Sequence, residues 1–101
     1  MRAAVVGHVE WIRFARVDRV PAAGEIAHSF EEWEQAGGGG AVAALQLAAL
    51  ADEATLFTVL GDDELGSRAR SELGERGVRV HAAVDRGGTR WALTQIDDAG
   101  E

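Results

Sequence analysis

The stretch Ala36-Gly37-Gly38-Gly39-Gly40-Ala41-Val42-Ala43-Ala44-Leu45 decides the reading of this chain. Four glycines in a row lead straight into an apolar, alanine-rich helix. Glycine loses more backbone entropy on ordering than any other residue. An ordered run of it therefore marks a place where the chain takes φ > 0 or comes close to something. A run that opens a helix also gathers unpaired backbone N–H groups, and the positive end of the macrodipole, at one point. That point suits a phosphate, a sugar hydroxyl or a carboxylate. A flexible hinge between a surface hairpin and a buried helix accounts for the same glycines. From this stretch alone both readings stand.

Upstream of the glycines, Ile26 to Trp33 reads as an extended segment with Ile26, His28 and Phe30 on one side. Arg13–Val17 reads as its partner strand, and Val20-Pro21-Ala22-Ala23-Gly24-Glu25 between them supplies turn chemistry. The pair predicts a partly solvated, hairpin-like excursion whose edges carry Arg16, Glu31 and Glu32. Earlier still, Ala3-Ala4-Val5-Val6 is a continuous apolar run ended by Gly7. It reads as a strand buried on both faces of a parallel sheet.

Downstream, the helix from roughly Gly40 to Ala51 is apolar all the way round, which predicts burial on every side. Glu53 to Leu60 then forms a second apolar strand, giving a right-handed βαβ unit. A second helix is marked by Leu65, Ala69 and Leu73 at four-residue steps. Asp62 or Asp63 is placed to cap it, Glu72 and Arg76 to pair along it, and Gly77 to stop it. Val78, Val80, Ala82 and Val84 alternate with more polar neighbours as in a half-exposed strand. Asp85-Arg86-Gly87-Gly88 turns the chain into the extended run Thr89–Asp97, and Asp97-Asp98-Ala99-Gly100 is a hairpin-turn signal.

Composition narrows the function. At 101 residues the chain suits one small domain. Net charge is −7 and every basic residue is arginine. An acidic chain of this kind lacks the basic face that nucleic acid requires. Without lysine it also lacks the residue a P-loop uses to reach phosphates. There is no cysteine, hence no disulfide framework or thiolate chemistry. His8, His28 and His81 show no ligand spacing, and two adjacent carboxylates at 62 and 63 make no cage, so no metal site is expected. No apolar run is long enough to span a bilayer or to form a signal peptide. A cytoplasmic protein with no membrane partner is expected.

Four pieces, in order, carry a resemblance. Val5-Val6-Gly7 opens the chain; Val17-Asp18-Arg19-Val20-Pro21-Ala22-Ala23-Gly24-Glu25 has a hydrophobic–Pro–x–x–Gly–Glu pattern. Gly37–Gly40 leads the alanine-rich helix, and Gly61-Asp62-Asp63-Glu64-Leu65-Gly66 reads Gly-x-Asp-x-x-Gly. Together they resemble the N-terminal third of a ribokinase-type sugar kinase of the PfkB family. The resemblance implies an α/β protein, the N-terminal part of a three-layer α/β/α fold with β-lid strands. Residues 1–101 would be one N-terminal fragment, its lid at about 12–33 and 89–97.

The implied activity is ATP-dependent phosphorylation of a hydroxyl on a sugar or sugar-like small molecule. The substrate-binding positions carried over are Glu10, Ile12, Gly38, Gly39, Gly40 and Val42. Four of these depart from the family pattern. Glu10 and Ile12 stand where Asn-x-Asp is usual, Gly39 replaces a lysine and Val42 an asparagine. A site without its hydroxyl partners does not take the same ligand, since each unpaired buried hydroxyl costs on the order of 1–3 kcal/mol. Ribose or a close analogue is therefore not the expected substrate.

The family's general base, and the half that binds ATP and Mg2+, lie downstream of anything present here. No catalytic residue is assigned within the chain, which is expected to be inactive alone and to belong to a protein about three times longer, the size the family implies. A homodimer through the lid strands is also implied. Two other readings remain. Gly38-Gly39-Gly40-Ala41-Val42-Ala43 fits the G-x-G-x-x-A of a Rossmann-type dinucleotide-binding fragment, which needs a buried strand before it; the acidic Glu31–Gln35 is unlike one. A non-catalytic module pairing through its lid strands is the other.

Overall fold

The computed structural model describes residues 1–101. Six strands and two helices follow in the order β1 (Arg2–Val6), β2 (Glu10–Arg16), β3 (Glu31–Gly37), α1 (Gly39–Leu50), β4 (Glu53–Gly61), α2 (Glu64–Glu75), β5 (Val78–Asp85) and β6 (Trp91–Ile96). They build two three-stranded sheets, ordered β1-β4-β5 and β3-β2-β6. In the first sheet all strands are parallel, so β1-α1-β4 and β4-α2-β5 are two successive βαβ units. In the second, β2 lies between antiparallel β3 and parallel β6.

Both helices pack on one face of the parallel sheet. Ala41 and Ala44 of α1, Ala69 and Leu73 of α2, Leu56 and Leu60 of β4 and Val78 of β5 form a single buried cluster. Leu56 and Leu73 are fully buried; each contributes about 1.5–3 kcal/mol relative to exposure. Trp11 and Ala36, from the second sheet, join the same cluster. The roots of the two sheets therefore share a core.

Two expectations about burial are corrected. β1 is not covered on both faces: Val5 packs inward, while Val6 is 86% exposed. Phe57 and Val59 of β4 share that open side. Nor is α1 buried all round, since Val42 and Leu50 face outward. The cause is the same in both cases. With both crossovers on one side of the sheet, these 101 residues supply one helical layer and leave the outer faces uncovered.

The second sheet also differs from its forecast. Ile26–Phe30 is not a strand; β3 begins at Glu31 and runs up to the glycines, with only Gly38 between it and α1. Its acidic residues are exposed, as a solvated stretch requires, and two of them are matched across the ladder. Arg16 pairs with Glu31 at 3.1 Å, and Arg13 with Glu34 at 3.4 Å. Opposite charges on facing residues stabilise such a ladder. β6 is shorter than the expected run, starting at Trp91, because Thr89 is held elsewhere.

α2 follows its sequence signals with one exception. Asp63 is its N-cap, accepting a hydrogen bond from the Gly66 amide at 2.8 Å. Gly77, beyond its C-terminus, has φ +91°. Glu72 does not pair with Arg76 but accepts from the Ala36 amide of β3 at 2.7 Å.

Candidate functional site

The turn from β1 to β2, Gly7-His8-Val9, runs directly beneath the start of α1. The Gly40 amide donates to the His8 carbonyl at 3.0 Å. A β-carbon on Gly40 would lie 2.5 Å from the Gly7 carbonyl carbon and 2.7 Å from the His8 oxygen, so no side chain fits there. Gly38 caps α1 with φ +88°, a left-handed conformation that disfavours other residues. The glycine run is thus neither a free hinge nor wholly a ligand cradle. Two of its members let the backbone of α1 seat on the first turn.

That seating gathers most of the expected residues. Glu10, half-buried at the start of β2, is the register partner of Gly37. The side chain of Ile12 reaches over Gly37. The His8 imidazole accepts from the Gly39 amide at 3.4 Å, and its Nε2 lies 3.7 Å from a Glu10 carboxylate oxygen. Glu10 and Ile12 therefore meet the glycine run at Gly37, and His8 meets it at Gly38, Gly39 and Gly40. Val42 stands apart, exposed on the first turn of α1 and joined to the group through its amide, which donates to the Gly38 carbonyl.

A cleft of about 410 Å³ opens next to this group. His8, Thr58, Asp85, Thr89 and Arg90 supply its polar lining, with Val6 and Val59 among the apolar part. It lies outside the carboxyl ends of parallel strands, where ligands collect in α/β sheets. Composition and motif reading missed Asp85, Thr89 and Arg90. Their only sequence signal was the Gly87-Gly88 turn that precedes Thr89.

Thr89 is fixed by Asp63. The carboxylate accepts from the Thr89 hydroxyl at 2.6 Å and from its amide at 2.8 Å, and the Gly61 amide donates to that hydroxyl at 3.0 Å. The Thr89 hydroxyl, then the Thr89 and Gly66 amides, hold the Asp63 carboxyl below its ordinary range. The Gly-x-Asp-x-x-Gly piece is thus a clamp that sets where the chain enters β6. On the far side of the second sheet Glu34 accepts from the Trp11 indole at 3.0 Å and from Arg13 at 3.4 Å. The Trp11 hydrogen bond leads in lowering the Glu34 pKa, with Arg13 and Arg68 adding to it. Arg68 of α2 lies over the Trp11 ring at 4.4 Å.

Trp33 stacks on Phe14, with ring centroids 5.1 Å apart and planes 9° from parallel. Trp11 and Trp33 are accordingly packing residues. No three His, Asp or Glu side chains stand together as a metal-binding group.

The arrangement matches known proteins along its whole length. The model of the pfkB family carbohydrate kinase matches residues 2–101. The chain belongs to that family. An ATP-dependent ribose-1-phosphate kinase from Halopiger xanaduensis is 36% identical over 103 residues, which cover 100% of this chain and 35% of the relative. The chain therefore spans about a third of that protein's length. Among solved structures, ribokinase from Cryptococcus neoformans in complex with ADP is 27% identical with a TM-score of 0.81, over 99% of this chain and 31% of that one. Arabidopsis thaliana ribokinase complexed with ribose and ATP is also 27% identical, TM-score 0.77, over 99% and 33%. This pfkB chain has the N-terminal part of the ribokinase-like fold. The dinucleotide reading loses its structural support, because β3 before the glycines is the edge of an antiparallel pair rather than a buried parallel strand.

Proposed function

We propose that this chain forms the substrate-binding and lid part of an ATP-dependent sugar kinase, with the nucleotide-binding and catalytic part outside these 101 residues. One observation carries the reading: Glu10 and Ile12, on β2 of the second sheet, meet the glycine run at Gly37, just before α1. On this reading the second sheet is the lid. Glu10 accepts hydrogen bonds from substrate hydroxyls, and the Gly38–Gly40 backbone gives the sugar close approach. Closure of the sheet excludes water, so that the phosphoryl group passes to the sugar.

The residues present do not fit ATP and Mg2+. There is no lysine, the Gly40 amide is engaged by His8, and no three-ligand acidic group exists. Nucleotide and metal are therefore assigned to the remainder of the enzyme, and the chain alone is expected to turn over nothing. An ATP-consumption screen of the full-length protein over sugars, nucleosides and sugar acids tests the reading. Turnover of a hydroxyl substrate is expected; none with any of them would sink it. Glu10→Gln is expected to raise KM while leaving the melting temperature unchanged. An unchanged KM removes Glu10 from the site.

Pairing of two copies through the second sheet is the further assembly we propose. Its strands β3 and β6 are both edges, and Phe30, Trp91 and Leu93 are exposed on or beside them. Sedimentation of the full-length protein should show a dimer that Leu93→Arg weakens. No helix of the chain is long and apolar enough to cross a membrane, and a cytoplasmic enzyme is part of the proposal.

A further inference from the structure

Two faces of α2 are in use. Gly66, Ala69 and Leu73 are buried, the last two in the core shared with the parallel sheet. Leu65, Arg68 and Glu72, spaced i, i+3, i+7, share another face. Each of these three meets the second sheet. The Arg68 guanidinium lies over the Trp11 ring at 4.4 Å, and Glu72 accepts from the Ala36 amide at 2.7 Å. Leu65 lines a small cleft of about 180 Å³ together with Trp11 and Trp91. Ala36, Trp11 and Trp91 form a single rung, because Trp11 is the register partner of both the others. One helix face therefore reaches all three strands at the same level.

The adjoining rung is Glu10 with Gly37. Side chains alternate along a strand, so Glu10 points to the face opposite Trp11. Whatever fixes Trp11 therefore fixes where Glu10 stands beside the glycine run. Trp11 is 5% exposed and is held from two directions. Arg68 covers one face of the ring, where the ring quadrupole attracts a cation. Glu34 accepts from the indole N–H at 3.0 Å, and its other oxygen lies 3.7 Å from Arg68. Cation, ring and carboxylate thus close a triangle between α2, β2 and β3. Arg68 is itself half exposed, and an ion pair so placed adds little to stability. Its effect is on geometry.

We propose that α2 is the grip that holds the second sheet over the candidate site, and that Arg68 is a positioning residue acting on Glu10 through Trp11. The inference rests on the kinase reading, in which Glu10 meets the substrate, and adds a residue on the far side of the sheet. Asp63, the N-cap of the same helix, completes the grip by holding Thr89, two residues before Trp91. The second sheet is tied in this way to the helix and not only to the turns that lead into it.

Hydrogen exchange in the full-length protein, read by mass spectrometry, tests the grip. Arg68→Ala is expected to speed exchange in β2 and β3 about tenfold while β1, β4 and β5 keep their wild-type rates. Arg70→Ala is the control. Arg70 is also exposed on α2, but it donates to the Val80 carbonyl of the parallel sheet at 3.2 Å. Its loss should leave the second sheet unchanged. With the substrate that ATP turnover identifies, Arg68→Ala should raise KM about fivefold at unchanged kcat. Arg68→Lys, which keeps a cation over the ring, should recover most of the loss, and Arg70→Ala should leave KM at the wild-type value. Unchanged exchange in the second sheet, an equal rise in both sheets, or a wild-type KM in Arg68→Ala overturns the proposal. The kinase reading is judged separately, by turnover of the wild-type protein. Absence of turnover removes the kinase, and the exchange pattern still decides the grip.

Discussion

Single residues in the glycine run have separable jobs. A methyl group at Gly40 would meet three backbone atoms of Gly7 and His8 at 2.5–2.8 Å. Backbone cannot give way as a side chain can, so Gly40→Ala is expected to destabilise by about 1–3 kcal/mol or more. At Gly39 the nearest atom is His8 Cε1 at 3.4 Å, an ordinary contact, and Gly39→Ala should be neutral or mildly stabilising. Urea unfolding of the two variants checks the contrast; equal losses would mean that α1 is not seated as described. Asp63 gives a pH signature. Hydrogen bonds from Thr89 and Gly66 depress its pKa below the ordinary 3.8. A depressed carboxylate stabilises the fold above its unfolded pKa and loses that contribution as pH falls through the folded value. Glu34 shifts in the same direction from 4.5. The melting temperature should therefore be level above about pH 5 and decline below about pH 4, with a shallower decline in Asp63→Asn.

At the scale of elements, α2 was the most legible piece and also hid the most. The four-residue spacing of Leu65, Ala69 and Leu73 and the Asp63 cap are local signals, and local signals survive in sequence. Glu72 looked like half of a helical ion pair, because its real partner, the Ala36 amide, comes from a distant strand. Likewise Glu31 and Glu34 read as solvent-facing, and they are exposed, but that Arg16 and Arg13 stand opposite them was not visible. The candidate site was half visible for the same reason. Glu10, Ile12 and the glycines belong to recognisable motifs, whereas Arg90 enters only because β6 pairs with β2. Removing the Glu72 acceptor leaves the amide of Ala36, a buried residue, unsatisfied. Glu72→Ala should cost about 1–3 kcal/mol, and Glu72→Gln, which keeps an acceptor, should recover most of it. Chemical denaturation decides; equal losses in both variants would show that charge, not the hydrogen bond, matters.

For the molecule as a whole, one helical layer leaves Val6, Phe57 and Val59 in solvent on the far side of the parallel sheet. An apolar run looks the same in sequence whether one face or two are covered, so this was not legible. The 101-residue chain alone should self-associate through that side, and Val59→Arg should reduce the association in sedimentation experiments. A monomer with a cooperative melt would contradict this.

The pairing of β2 with β6 has a consequence in time. Trp11 must wait for Trp91 before β2 gains its second neighbour, while β3 closes on its other side after the nearer connection of residues 17–30. Contacts between segments so far apart in the chain slow folding more than they alter final stability. During synthesis the β2–β3 hairpin therefore emerges early with the β6 side of β2 still bare. That edge stays open until the residues that carry Arg90 leave the ribosome.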